Sequence, residues 1–195
     1  MASDIQKIKQ LREETGAGMM DVKRAIEEAG GDTEGARRIL RERGQAQAQK
    51  KSGRATNEGL IDAYIHFNGR VGVMVEVDCE TDFVARTPEF KEFARNVALH
   101  VASMNPLCVS PDDIPQDAME EERSIAEKQA SEMGKPENIT RQIVDGRINK
   151  WVAEQALVTQ PFVKDPDKTV GDLLQDAIQK VGENVVIRRF VRYEL

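Results

Sequence analysis

The chain is poor in the side chains on which most enzyme chemistry rests. Its 195 residues include two cysteines, two histidines, one tryptophan and two tyrosines. Cys79 and Cys108 are too few for a disulfide framework. With His66 and His100 they show none of the paired spacing that a structural zinc site needs. Nor do two histidines leave a Ser-His-Asp or Cys-His set to propose. Gly134-Lys135-Pro136 lacks the earlier glycine and the following Ser or Thr of a phosphate-binding loop. No apolar run is long enough to span a membrane. The opening MASDIQKIKQ has mixed charge and no apolar stretch of a secretion signal, so a cytoplasmic location is expected. An enzyme is poorly supported, and no cofactor or metal of its own is expected.

What the chain does have is charge, unevenly placed. The first 55 residues carry 12 Lys and Arg against 9 Asp and Glu, and the remaining 140 carry 16 against 25. A mildly basic front, net +3, therefore precedes an acidic body, net −9. The front closes on RERGQAQAQKKSGR, which is short of large apolar side chains and cannot bury enough surface to offset the entropy of ordering it. Residues 46–58 are read as a linker between a front module, 1–45, and a body, 59–195. A basic run can also mean nucleic acid, but no aromatic is interleaved to stack on bases, and the acidic whole argues against direct nucleic-acid binding.

The front reads as three short helices. Ser3 followed by Gln6 has the form of a capping box, and Ile5, Ile8 and Leu11 fall on one helical face. Gly16 and Gly18 end this helix. A second begins near Met19, turns Val22, Ala25, Ile26 and Ala29 inward, and stops at Gly30-Gly31. Asp32 caps a third helix, with Ala36, Ile39 and Leu40 inward. Its second helix could imitate a DNA-recognition helix, but Asp21, Glu27 and Glu28 would repel phosphates. Met19 and Met20 have two readings: core residues, or exposed thioethers adapted to a partner's surface.

The body reads as α+β. Ile61, Ala63, Ile65 and Phe67 alternate, as do Val71, Val73, Val75 and Val77, and Asn68-Gly69 between them predicts a hairpin over 60–77 with a type I′ turn. A third strand is expected over 185–193, with Val185, Ile187, Val191 and Tyr193 on one side. Four helices fill the interval. One is capped by Thr87 with Pro88 at its first position and carries Phe90, Phe93, Ala94, Val97, Ala98 and Val101 on its apolar stripe. Two more cover 118–133 and 137–154, and the last runs from Thr169 to Val181, capped by Thr169 and stopped by Gly182. Together these imply a small antiparallel sheet covered on one face by helices. His100 belongs to the apolar stripe and reads as a satisfied core histidine. His66, alternating outward from its strand, is a candidate partner contact.

One constellation resists the strand and helix patterns. After Cys79 the alternation breaks down, and Glu80-Thr81-Asp82-Phe83-Val84-Ala85-Arg86 forms a strand-to-helix connection. Phe83 either folds back into the core, the commoner place for such a ring, or protrudes. The run Val77-Asp78-Cys79-Glu80-Thr81-Asp82-Phe83-Val84 resembles the second signature of the elongation factor Ts family, exchange factors for the translational GTPase elongation factor Tu. Leu11 to Ile26, LREETGAGMMDVKRAI, resembles the first. Asp78 stands where the family usually has Asn, and Ile26 where it usually has Leu. The likeness extends to Gly134-Lys135-Pro136, Gln160-Pro161-Phe162-Val163 and Lys168-Thr169-Val170-Gly171, and so over nearly the whole chain.

The resemblance implies a ubiquitin-associated-like three-helix front that docks on the GTPase, and an α+β core that performs exchange. It implies that Thr81, Asp82, Phe83 and Val84 form the wedge that dislodges the partner's Mg²⁺, with Arg12, Met19 and Met20 as further contacts, beside the His66 contact read from its strand. A chain with room for one core copy resembles the family's short form, for which a homodimer is expected.

Overall fold

The computed structural model describes residues 4–195; the capping residue expected at Ser3 lies outside them. Three helices lead, α1 (Asp4–Thr15), α2 (Met19–Glu28) and α3 (Thr33–Lys51). Leu11, Ala17, Val22, Ala25, Ile26, Ala36 and Leu40 form their shared core, with Ile8, Ala29 and Ile39 packed against it. Ile5 is exposed instead of joining this stripe. The Asp32 carboxylate accepts the Glu34 and Gly35 N–H groups and caps α3 as expected.

The segment read as a linker is helical through Lys51. Gln, Ala and Lys are good helix formers, and tertiary contact supplies what composition could not. Ala48 enters the main core. Arg41 pairs with Asp172 at 2.7 Å, and Gly44 lies so close to Gln179 that a Cβ there would stand 2.6 Å from its amide oxygen.

The body is an α+β arrangement around one three-stranded antiparallel sheet. Its strands are β1 (Glu58–Ile65), β2 (Val71–Cys79) and β5 (Val185–Glu194), in the order β1-β2-β5. Between β2 and β5 come α4 (Asp82–Ala85), α5 (Pro88–Met104), α6 (Gln116–Ser131), α7 (Glu137–Gln155), a small hairpin of β3 (Pro161–Phe162) and β4 (Asp165–Thr169), and α8 (Val170–Val181). The β3–β4 hairpin was not expected, since Asp165-Pro166-Asp167 shows no alternation. Helix α5 lays its whole predicted stripe against the sheet; Phe90, Phe93, Ala94, Val97, Ala98 and Val101 are all buried. Helices α6 and α7 pair off around Ala126, Ala130, Val144 and Ile148, a cluster separate from the main core.

Three expectations about the sheet are corrected. The hairpin pairs as predicted, Leu60 opposite Val77 and Ile65 opposite Gly72, but its turn is not type I′. The Gly69 N–H closes back on the His66 carbonyl at 2.8 Å. Gly69 has φ +68° while Asn68 keeps a negative φ, so a single left-handed residue ends a four-residue loop.

Second, Ile61, Ala63 and Ile65 face away from the helices, as Phe67 beyond the strand also does, while Leu60 and Tyr64 pack on the core. His66 consequently does not point outward with them: its Nδ1 lies 3.0 Å from the Tyr64 hydroxyl.

Third, Val185 and Ile187 are buried but Val191 and Tyr193 are exposed. A bulge causes this: Val77 pairs with Ile187 and Glu76 with Arg189, leaving Arg188 unpaired, and one extra residue moves every later side chain to the other face. The outer face of the sheet is therefore four cross-strand rows, Gly59–Asp78–Val186, Ile61–Glu76–Arg189, Ala63–Met74–Val191 and Ile65–Gly72–Tyr193.

His100 is fully buried on α5. Its Nδ1 accepts the Val163 N–H at 3.2 Å, so the ring is neutral and Nε2–H donates to Gln160 Oε1 at 2.8 Å. Burial holds its pKa below the ordinary histidine value. The unfolded chain then binds the extra proton first, so this contribution to stability is complete above about pH 6.5 and declines as pH falls below it. The melting temperature should drop between about pH 7 and pH 5, a window above the carboxylates, and His100→Gln should flatten that slope. A melting series across those pH values checks it.

Candidate functional site

The connection from β2 to α5 is built from two threonine caps. Thr81, extended at φ −131°, ψ 153°, precedes the single turn α4, and its hydroxyl accepts the Val84 N–H at 3.4 Å. Thr87 sits between the two helices. Its hydroxyl donates to the Val84 carbonyl at 2.8 Å and accepts the Phe90 N–H at 3.3 Å, closing α4 and opening α5 together. Pro88 follows at the first helical position, where a missing N–H costs nothing.

A turn this short has one face for the core and one for solvent. Ala85 is buried and Val84 packs against the main core. Phe83 points the other way and is 78% exposed. The Asp82 carboxylate beside it pairs with Arg86 one turn on, at 2.8 Å, an exposed pair worth little to stability. Thr81, Asp82, Phe83 and Val84 are thus gathered on one projecting corner, with the apolar ring outermost.

The corner is stitched from behind by residues that local pattern did not reveal. The Glu183 carboxylate accepts the Glu80 N–H at 3.1 Å, the Thr81 N–H at 3.0 Å and the Thr81 hydroxyl at 2.7 Å. In the opposite direction, the Glu80 carboxylate accepts the Asn184 N–H at 2.7 Å and Arg54 at 3.3 Å. That N–H, with the Arg54 guanidinium, holds the Glu80 carboxyl below the usual carboxylate range. Buried Asn184 also donates to the Arg54 carbonyl at 2.9 Å, tying in the chain beyond α3. Partners about a hundred residues apart carry no signal in either local segment. Cys79, at the end of β2, donates its thiol to the Thr81 carbonyl at 3.2 Å. Burial pushes that thiol up to about 11, so it stays protonated near neutrality and serves as structure.

Of the other candidates, Met19 and Met20 open α2 and are 54% and 58% exposed, which settles their two readings in favour of surface. Arg12 is exposed on α1. A shallow cavity of about 380 Å³ is lined by Lys9, Arg12, Glu13, Gly16, Glu89 and Lys180, so the front helices reach the first turn of α5, close to the projecting corner. His66 is not brought there. It lies beyond the far end of β1, eight strand steps from the end that pairs with Cys79, or roughly 27 Å at about 3.4 Å per residue. Among the described residues no group of three His, Cys, Asp or Glu side chains is placed to hold a metal ion, and no helix is long and apolar enough to cross a membrane.

Residues 42–195 match the family model described as Elongation factor TS. The Elongation factor Ts of Rubrobacter xylanophilus is 76% identical over 195 residues, all of both chains. The chain belongs to the elongation factor Ts family. Membership places it among the translation elongation factors. Further relatives of that name are 56% identical in Thermoanaerobacter sp. strain X514, over 97% of this chain and 93% of that one, and 55% identical in Carboxydothermus hydrogenoformans, over 97% and 88%.

The exposure of Phe83 separates this family member's projecting ring from its core rings. Phe83→Ala should leave the melting temperature within about 2 °C, as expected for a surface change. Phe90→Ala, which empties a fully buried site, should cost about 3–5 kcal/mol. Circular dichroism melts of the two variants measure the contrast.

Proposed function

We propose that this translation elongation factor is a guanine-nucleotide exchange factor for elongation factor Tu, working without catalytic chemistry or a cofactor of its own. The observation that carries the reading is Phe83, a large apolar ring held out on a capped turn that Val84 and Ala85 anchor to the core. Held outward in this way, the ring is available as an aromatic anchor for a pocket on a partner.

Exchange of this sort is a matter of linkage. A factor that binds the nucleotide-free GTPase better than the loaded one weakens nucleotide by the same ratio. A thousandfold loosening needs a coupling of about 4 kcal/mol. Full burial of one aromatic contributes roughly 1.5–3 kcal/mol, and a carboxylate acting on the polar surroundings of the partner's Mg²⁺ supplies an effect of similar order. Phe83 drives between elements of the GTPase, backed by Val84 and Thr81. Asp82 disturbs the contacts that hold the ion, and GDP leaves. The front module of residues 1–45 docks through Met19, Met20 and Arg12. Thioethers suit that task because they adapt to the surface they meet. His66, beside exposed Phe67 at the hairpin tip, would meet a partner at a separate place. The work belongs in the cytoplasm, where the GTPase is found.

The chain acts as a homodimer. The outer sheet face exposes Ile61, Ile65, Met74, Val191 and Tyr193 across three strands, with the Glu76–Arg189 ion pair beside Ile61, and a second copy of the same face would cover it by two-fold packing. An uncovered patch of this kind is otherwise an aggregation hazard.

Release of fluorescent GDP from elongation factor Tu tests the exchange reading. The wild-type chain should accelerate it, and Phe83→Ala should lose about ten- to a hundredfold of the acceleration, the equivalent of the burial term above. A factor that leaves the release rate unchanged would overturn the reading. For the dimer, Met74→Lys places a charge on the central strand of the covered face and should shift sedimentation from two copies to one.

A further inference from the structure

The turn that presents Phe83 does not support itself. α4 is four residues long, and a first helical turn fixes several dihedrals for one hydrogen bond. Its cap, the Thr81 hydroxyl, stands at the long distance of 3.4 Å from the Val84 N–H. What orients that hydroxyl is remote in sequence. A hydroxyl has one proton to give and two lone pairs to offer. Thr81 gives its proton to Glu183 Oε1, which leaves the lone pairs free for Val84. The second oxygen of the same carboxylate takes the Glu80 and Thr81 N–H groups. One half-buried side chain thus satisfies three donors on the two residues that enter α4, and it is delivered by the turn after α8, where Gly182 adopts φ +79°.

We propose that Glu183 is a positioning residue for nucleotide exchange: by gripping Glu80 and Thr81 it fixes the direction in which α4 presents Phe83. The inference rests on the reading of Phe83 as the wedge and adds to it a residue outside the wedge itself. A ring on a loose loop would have to be ordered at each encounter, whereas one already aimed is not, and the difference amounts to about tenfold in rate for one ordered side chain and its loop. The carboxylate acts through hydrogen-bond geometry and not through its charge. Its three bonds are all spent inside the chain; glutamine keeps two with its carbonyl on the N–H groups and reverses the third, its amide donating to one lone pair of the Thr81 oxygen while the other remains for the Val84 N–H.

The test uses the full chain with Glu183→Ala, Glu183→Gln, Phe83→Ala and the Glu183→Ala/Phe83→Ala double variant. Two quantities are read: GDP release from elongation factor Tu at saturating factor, and amide hydrogen exchange of the factor alone. Glu183→Ala should slow release about tenfold and speed exchange at the Thr81 and Val84 amides, while α5 and β2 stay protected. Glu183→Gln should remain near wild type in both. In the Phe83→Ala background, loss of Glu183 should cost nothing further.

A wild-type rate for Glu183→Ala, or unchanged amide protection at Thr81 and Val84, would overturn the proposal. So would Glu183→Gln as slow as Glu183→Ala, or an undiminished effect in the double variant. If the wild-type chain itself leaves GDP release unaltered, the wedge reading falls and takes this inference with it. Failure confined to the Glu183 variants removes the inference alone.

Discussion

The antiparallel pairing of β5 with β2 is the contact on which the other features depend. It closes a sheet whose third strand arrives more than a hundred residues after the hairpin, so its loop-closure entropy is offset only when α5 and α8 are also in place. Because the pairing starts at Cys79 opposite Val185, the turn leaving β2 and the turn entering β5 are neighbours. That adjacency lets two carboxylates cross, Glu183 onto the β2 side and Glu80 onto the β5 side. The projecting corner is therefore held by a long-range sheet register, although the residues that project are consecutive.

The same pairing sets the character of the two sheet faces. With α5 on one side only, the sheet needs one apolar face, yet it has two. The inner rows are valines with Leu60, Tyr64, Ile187 and Phe190, and the outer rows carry isoleucines, Met74, Val191 and Tyr193. The bulge at Arg188 is what completes the outer face. Without the extra residue, Val191 and Tyr193 would point toward α5 and Phe190 away from it. Arg188 itself is anchored to Asp78 at 2.7 Å, so the bulge has an ionic fastening as well as a register. Asp78, one of the two positions at which the chain departs from the usual family residue, thus holds a fixed place in the sheet.

The front helices are joined to the body more tightly than their composition suggests. Helix α3 is polar along its second half, but Gly44 and Ala48 are the two places where it meets α8 and the core closely, and both are small. A polar helix gains its order there from a narrow seam of contact and from Arg41 with Asp172, not from an apolar stripe. A reading based on hydrophobic content alone takes such a segment for a hinge.

By itself the sequence determined the elements whose signal is local. Caps at Asp32, Thr87 and Thr169, the left-handed stop at Gly182, the hairpin pairing and the apolar stripe of α5 all follow from side chains within a few residues of one another. So does the family signature around Phe83, because Thr81 to Val84 are consecutive. Only the tertiary structure decided which side of each strand faces inward, since period-two alternation is symmetric until something covers one face, and here both faces are apolar. It alone decided that Phe83, Met19 and Met20 are exposed, because exposure is a property of what packs nearby. The clamp from Glu183 to Thr81 was equally invisible. Its members are bound by a carboxylate reaching across a fold that does not exist until two distant turns have met.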